Sequence, residues 1–211
     1  MAPALPFDEA GGALIVGITA SYGLVKYGGF LPDKEDEPGK APPPIPGPRV
    51  LIVGSSGGVG HVAVQLAKKC LGASFVVGVC SSKNTAFARQ IGCDEVLEYD
   101  KVEMAKLAGL KPEWKESFDL IYDMIGSDEF YHPLAPLLLR PGAPYVTAAA
   151  PVDGARANPV SLLSLVSAVA TFAYRTVLGA RPFRFVAVDN SEWPRIAGWI
   201  NEGKVCPVRV R

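Results

Sequence analysis

From Arg49 onward, short continuous apolar runs alternate with stretches whose apolar residues recur every three or four positions. Val50-Leu51-Ile52-Val53 has no polar member and stops at Gly54, the pattern of a strand buried on both faces. Val59, Val62, Ala63, Leu66, Ala67 and Cys70 follow at helical spacing, and Gly72 is placed to end that helix. The pattern then predicts a second strand over Phe75 to Cys80, a helix from Asn84 to Ile91 closed by Gly92, and a third strand from Glu95 to Tyr99. The second half repeats the alternation with a strand over Phe118 to Met124 and a helix over Asp128 to Leu139. A strand over Tyr145 to Ala149, entered through Pro141-Gly142, and a sixth over Phe183 to Val188 complete the set. Ser191 is placed to cap the last helix, which carries Ile196, Trp199 and Ile200 and stops at Gly203.

Strands that alternate with helices imply a parallel sheet covered on both faces, with right-handed crossovers. The expected fold class is α/β, a Rossmann-type doubly wound parallel sheet of six strands in the order 3-2-1-4-5-6, preceded by N-terminal helices. Residues 1–33 read as those helices, 34–48 as a Pro-rich loop and 49–211 as the α/β domain. The loop holds Ala41-Pro42-Pro43-Pro44-Ile45-Pro46-Gly47-Pro48, which favours extended backbone. It reads as a solvated linker, with a partner for the proline run as the sharper alternative.

Two apolar segments bear on membranes. The run Ala10 to Val25 is preceded by Asp8 and Glu9 rather than by basic residues, unlike a secretory signal. Val160 to Tyr174 reaches Arg175 after roughly 15 residues, short of the ~20 that a spanning helix needs. It is expected to cover a cleft or a subunit interface, with peripheral membrane contact as the alternative, and a homodimer is one arrangement that would use it. No membrane span is expected.

Charge narrows the partners further. Lysine plus arginine and aspartate plus glutamate stand at 21 each, which argues against nucleic acid as a ligand and leaves a small-molecule substrate. Cys70, Cys80, Cys93 and Cys206 form no C-x-x-C pair and read as buried small hydrophobes of a reducing compartment, here the cytoplasm. His61 and His132 have no companion at ligand spacing, so no metal site is expected.

The strongest chemical signal is Gly54-Ser55-Ser56-Gly57-Gly58-Val59-Gly60, between the first strand and its helix. A pyrophosphate needs free backbone N–H groups, the positive end of a helix and no side chain in its path. Gly57 and Gly58 permit that approach, and Gly60 lets the helix pack on the strand. Ser55 stands in the first glycine position of the usual G-x-G-x-x-G. A glycine-rich turn with no ligand is the plainer alternative. At the end of the second strand an NAD site would carry an acid. Val79-Cys80-Ser81-Ser82-Lys83-Asn84 has none, and its hydroxyls and ammonium suit the 2′-phosphate of NADPH. Lys83 as a solvated first residue of the next helix is the alternative there.

These residues carry a resemblance. Val50 to Tyr99 resembles the cofactor domain of the medium-chain dehydrogenase/reductase superfamily, in its zinc-independent quinone oxidoreductase and enoyl reductase branch. Phe118-Asp119-Leu120-Ile121-Tyr122-Asp123-Met124-Ile125-Gly126 and Arg140-Pro141-Gly142-Ala143-Pro144-Tyr145-Val146 are similar to segments of the same domain. Ile200-Asn201-Glu202-Gly203-Lys204-Val205-Cys206-Pro207-Val208 resembles the branch's EGK-V/I-x-P-V/I segment. Leu5-Pro6-Phe7-Asp8-Glu9-Ala10 and Gly17-Ile18-Thr19-Ala20 resemble the helices that lead into it.

The resemblance implies an NADPH-dependent, zinc-independent oxidoreductase passing hydride to a quinone, enone or other conjugated carbonyl. It implies that Ser56, Gly57, Gly58 and Val59 hold the pyrophosphate and that Ser81, Ser82 and Lys83 hold the 2′-phosphate. Tyr99 would lie beside the adenosine, Ile125 and Ala148 beside the nicotinamide ribose, and Thr19 near the nicotinamide. For Thr19 and Tyr99 ordinary packing is an equal alternative. The family's GroES-like catalytic domain, which supplies most of the substrate wall, is not found ahead of the linker helices, and the segment after the EGK strand is not found beyond Arg211. Thr19-Ala20-Ser21-Tyr22 stands where the family has Thr-Ala-Tyr. No catalytic acid or base is identified, and a non-catalytic NADPH-binding module is the alternative expectation.

Overall fold

The computed structural model describes residues 7–30, 47–102, 111–126, 128, 130–149, 162–177, 179 and 182–206, with 7–12 and 162–168 described by backbone alone. Most of the Pro-rich loop 34–48 lies outside the described residues.

The strands are β1 (Arg49–Val53), β2 (Phe75–Cys80), β3 (Glu95–Glu98), β4 (Leu120–Asp123), β5 (Tyr145–Thr147) and β6 (Phe183–Phe185). They form one sheet in the order β3-β2-β1-β4-β5-β6, every pair parallel. The helices are α1 (Phe7–Ser21), α2 (Gly58–Gln65), α3 (Thr85–Gln90), α4 (Ala135–Leu138), α5 (Leu162–Val177) and α6 (Trp193–Asn201). The fold is the expected doubly wound Rossmann type.

Strand geometry sends alternate side chains to opposite faces, and β1 shows the result. Val50 and Ile52 join one core with Ile18, Val62, Leu66 and Ile196, while Leu51 and Val53 join the other with Trp114, Phe118, Leu134 and Phe183. The unbroken apolar run of β1 therefore serves two cores, each of its last four residues being buried.

The elements end earlier than the periodicity alone predicts, for local reasons. Phe118 forms only an isolated bridge to Leu139, so β4 begins at Leu120. It closes at Asp123, whose carboxylate turns back to accept from the N–H groups of Ile125 and Gly126. The described residues of the helix expected over Asp128 to Leu139 are helical up to Leu138, but Phe130–Leu134 is wound as a π-helical segment before the α-helical turn α4, and Pro133 inside it has no N–H to give. Asp189, not Ser191, caps the turn before α6 by accepting from the Ser191 N–H. The cysteines are less uniform than expected: Cys80 and Cys93 are buried, Cys70 is half-buried and Cys206 is exposed.

The N-terminal helix is bound into the sheet domain. Tyr122 Oη donates to the Thr19 carbonyl at 2.6 Å, and Ser21 Oγ donates to Glu192 at 2.7 Å. Tyr22 Oη bonds both Asp189 and Ser191. Gly23 admits the Tyr122 ring, whose Cζ lies 2.0 Å from where a Cβ would stand. Among the described residues no helix is long and apolar enough to cross a membrane.

Candidate functional site

Parallel strands deliver the ends of β1, β2, β4 and β5 to one edge of the sheet, where α/β folds bind ligands. Gly54 leaves β1 with φ +78°, a left-handed conformation that a residue with Cβ would strain to adopt. Its N–H and that of Ser55 both donate to the Val79 carbonyl at 3.0 Å, tying the turn to β2. The chain folds back so that Gly57 N donates to the Gly54 carbonyl at 2.9 Å, and α2 starts at Gly58.

The cap of α2 leaves its first turn open. Gly57 has no side chain to satisfy the first N–H groups of the helix, which have no intrahelical acceptor. Gly58 is exposed, with Val16 of α1 3.9 Å from its Cβ position. A Cβ at Gly60 would stand 2.1 Å from the Gly54 carbonyl oxygen, so the helix can approach the strand this closely only with glycine there. These features make a small cradle of positive electrostatic character that fits a pyrophosphate. His61 is buried behind it, its Nδ1 2.9 Å from the Gly57 carbonyl, and burial lowers its pKa and favours the neutral ring.

Ser55 faces inward and is buried, with Oγ 3.2 Å from the Val79 carbonyl. In the first glycine position it therefore supports the turn from behind, as a Cβ at Gly78 would stand 2.6 Å from its Oγ. Ser56 faces the end of β2: Asn84 Nδ2 donates to Ser56 Oγ at 3.0 Å and to Ser81 Oγ at 3.3 Å. Asn84 thus joins two residues assigned to different phosphates, a role the sequence did not disclose.

The end of β2 gains a group from the neighbouring strand. No acid follows β2 in sequence, yet one is present in space. Asp100 accepts from Ser82 N at 2.8 Å and from Ser82 Oγ at 2.7 Å. It arrives from the end of β3, because that strand runs parallel to β2 with Cys80 opposite Glu98. Those two Ser82 bonds hold the Asp100 carboxyl below its ordinary pKa. Lys83 and Tyr99 are exposed beside it, and Tyr99 N donates to the Cys80 carbonyl at 3.1 Å.

At the ends of β4 and β5 the residues are apolar or already bonded. Asp123 is fully buried and takes a bond from Tyr145 Oη at 2.6 Å besides its two backbone donors. Burial raises its pKa against the pull of those donors. Its bonds to the loop leave Ile125 51% exposed, with Cδ1 3.2 Å from the Cβ position of Gly54. Ala148 is half-buried and donates its N–H to the Asp123 carbonyl at 2.9 Å. Thr19 Oγ1 donates to the Ile15 carbonyl of its own helix at 2.6 Å. Among the described residues no group of three or more His, Cys, Asp or Glu side chains could hold a metal ion.

Comparison with known proteins matches residues 58–201 to the family model described as zinc-binding dehydrogenase. A trans-enoyl reductase of Aspergillus terreus is 30% identical over 189 residues, 88% of this chain and 48% of its own length. A medium chain reductase of an Acremonium species is 37% identical over 153 residues, 70% of this chain and 38% of its own. Among solved structures, Escherichia coli quinone oxidoreductase complexed with NADPH superposes with TM-score 0.62 at 20% identity, covering 95% of this chain and 55% of that one. That last likeness is one of fold. The chain spans about half the length of the Aspergillus relative.

Proposed function

Because the chain belongs to the zinc-binding dehydrogenase family, within the medium-chain dehydrogenase/reductase superfamily and of its quinone and enoyl reductase type, we propose that it binds NADPH along the carboxyl edge of its sheet and takes part in hydride transfer to a quinone, enone or other conjugated carbonyl. The observation that carries this reading is the open first turn of α2, capped by a glycine and pressed onto β1 at Gly60.

Ser56, Gly57, Gly58 and Val59 would hold the pyrophosphate, through backbone N–H groups and the Ser56 hydroxyl. Ser81, Ser82 and Lys83 would receive the 2′-phosphate, and Tyr99 would lie along the adenosine. Ile125 and Ala148 would flank the nicotinamide ribose, with Thr19 on the facing helix. The nicotinamide supplies the hydride when bound; the protein's part is orientation and exclusion of water. Ile125, exposed yet fixed through Asp123, is suited to that packing role.

A second reading is favoured by one observation: none of the side chains assigned to the nicotinamide end is a free acid or base. Thr19 is bonded within α1, Asp123 is enclosed, and Ile125 and Ala148 are apolar. Under that reading the chain binds NADPH without turning over a substrate. Steady-state NADPH oxidation with a panel of quinones and enones separates the two. Turnover that saturates with one acceptor supports the reductase; NADPH binding without turnover of any acceptor supports the binding module.

A further inference from the structure

Ser82, one of the three residues assigned to the 2′-phosphate, already holds an anion that belongs to the protein. Both donors of Ser82 point at Asp100, and the carboxylate is exposed, so it faces the same solvent from which a nucleotide would come. The neighbouring Lys101 offers it little relief, because its Nζ pairs with Glu98 at 2.8 Å. Glu98 also accepts from Thr85 Oγ1 at 2.7 Å, which fixes the strand end from which Asp100 projects.

We infer that Asp100 is a specificity-determining residue that competes with the nucleotide 2′-phosphate for Ser82 and so restrains the preference for NADPH over NADH. The inference rests on the nucleotide-binding reading above. A ribose bearing only hydroxyls could approach the carboxylate and donate to it. A ribose bearing a phosphate must displace Asp100 from the Ser82 N–H and hydroxyl and then sit beside its charge. Lys83 attracts the phosphate and Asp100 repels it, and the balance between these two sets the ratio of affinities. A unit charge a few ångströms away at a protein surface alters binding by about tenfold.

The test is titration of the full chain, and of Asp100→Asn, with NADPH and NADH at low and high salt. The amide keeps the size of the side chain and removes its charge. The expected result is a rise of about tenfold in the NADPH-to-NADH affinity ratio, smaller at high salt because the effect is electrostatic. Asp100→Glu, which keeps the charge, should leave the ratio low. Ser82→Ala placed in the Asp100→Asn chain should remove part of the gain, since it takes away the hydroxyl and leaves the N–H as the donor to the phosphate. A ratio unchanged within twofold in Asp100→Asn overturns the inference. If both chains bind NADH, lose it on Gly60→Ala and show that unchanged ratio, only the role of Asp100 fails. If the folded chain and its variant bind neither nucleotide, the nucleotide-binding reading fails and Asp100 with it.

Discussion

A methyl group at residue 60 would lie 2.1 Å from one carbonyl oxygen and 2.9 Å from the Ser55 Cα, both of them backbone. Neither neighbour can rotate away, so Gly60→Ala must push α2 off β1 and distort the turn that precedes it. The expected cost is about 1–3 kcal/mol of stability, as for other overpacked sites, with nucleotide affinity falling by more than tenfold. Gly198 is the control: nothing stands within 4 Å of its Cβ position, and it lies inside α6. Gly198→Ala should be neutral or stabilising by about 0.5–1 kcal/mol, from helix propensity alone. Denaturant midpoints and NADPH titrations of both variants check this; equal losses in the two would mean that the Gly60 contact is not special. Lys83, being exposed, should contribute modestly. Lys83→Ala is expected to weaken NADPH by about tenfold at low salt and NADH hardly at all, and equal effects on both nucleotides would remove it from the phosphate site.

At the scale of elements, the strands and their order were legible because a buried parallel strand has to be apolar on both faces, and β1 and β2 satisfy that almost without exception. The glycine turn was legible because its function depends on backbone rather than on distant partners. Asp100 was not: it lies 18 residues from Ser82, and only the register of β2 with β3 makes them neighbours. Asp123 was also missed as a support, since its role depends on Tyr145, 22 residues away on the adjacent strand. Ser191 is the cap the sequence predicts for the last helix, but its hydroxyl bonds Tyr22 instead, and Asp189 caps the turn that precedes that helix.

That exchange links the segment that follows α1 to the turn before α6 and carries a pH dependence. Bonds from Ser191, first, and Tyr22 bring the Asp189 pKa from 3.8 to about 2. A lowered folded-state pKa means that the folded protein binds this proton less readily than the unfolded chain. The stability it contributes is present above pH 3.8 and is lost as the pH falls toward about 2. Asp189→Asn should therefore lower stability near neutral pH and flatten the acid side of the profile. Urea midpoints between those pH values, for the chain and the variant, check the slope; parallel profiles would contradict the link.

Over the whole molecule, two cores pack on one sheet, and the N-terminal helix closes over the glycine turn rather than standing apart. Position along the sheet edge, more than any single side chain, brings Ser56, Ser81, Ile125 and Ala148 to one side. The most direct test is to follow the backbone amide resonances of the labelled chain as NADPH is added. The expected shifts saturate at one equivalent and are largest at Gly57, Gly58 and Val59, with a second group at Ser81, Ser82 and Lys83. Unmoved glycine-turn amides in a folded chain, or saturable shifts confined to another part of the sheet, would contradict the proposed NADPH site.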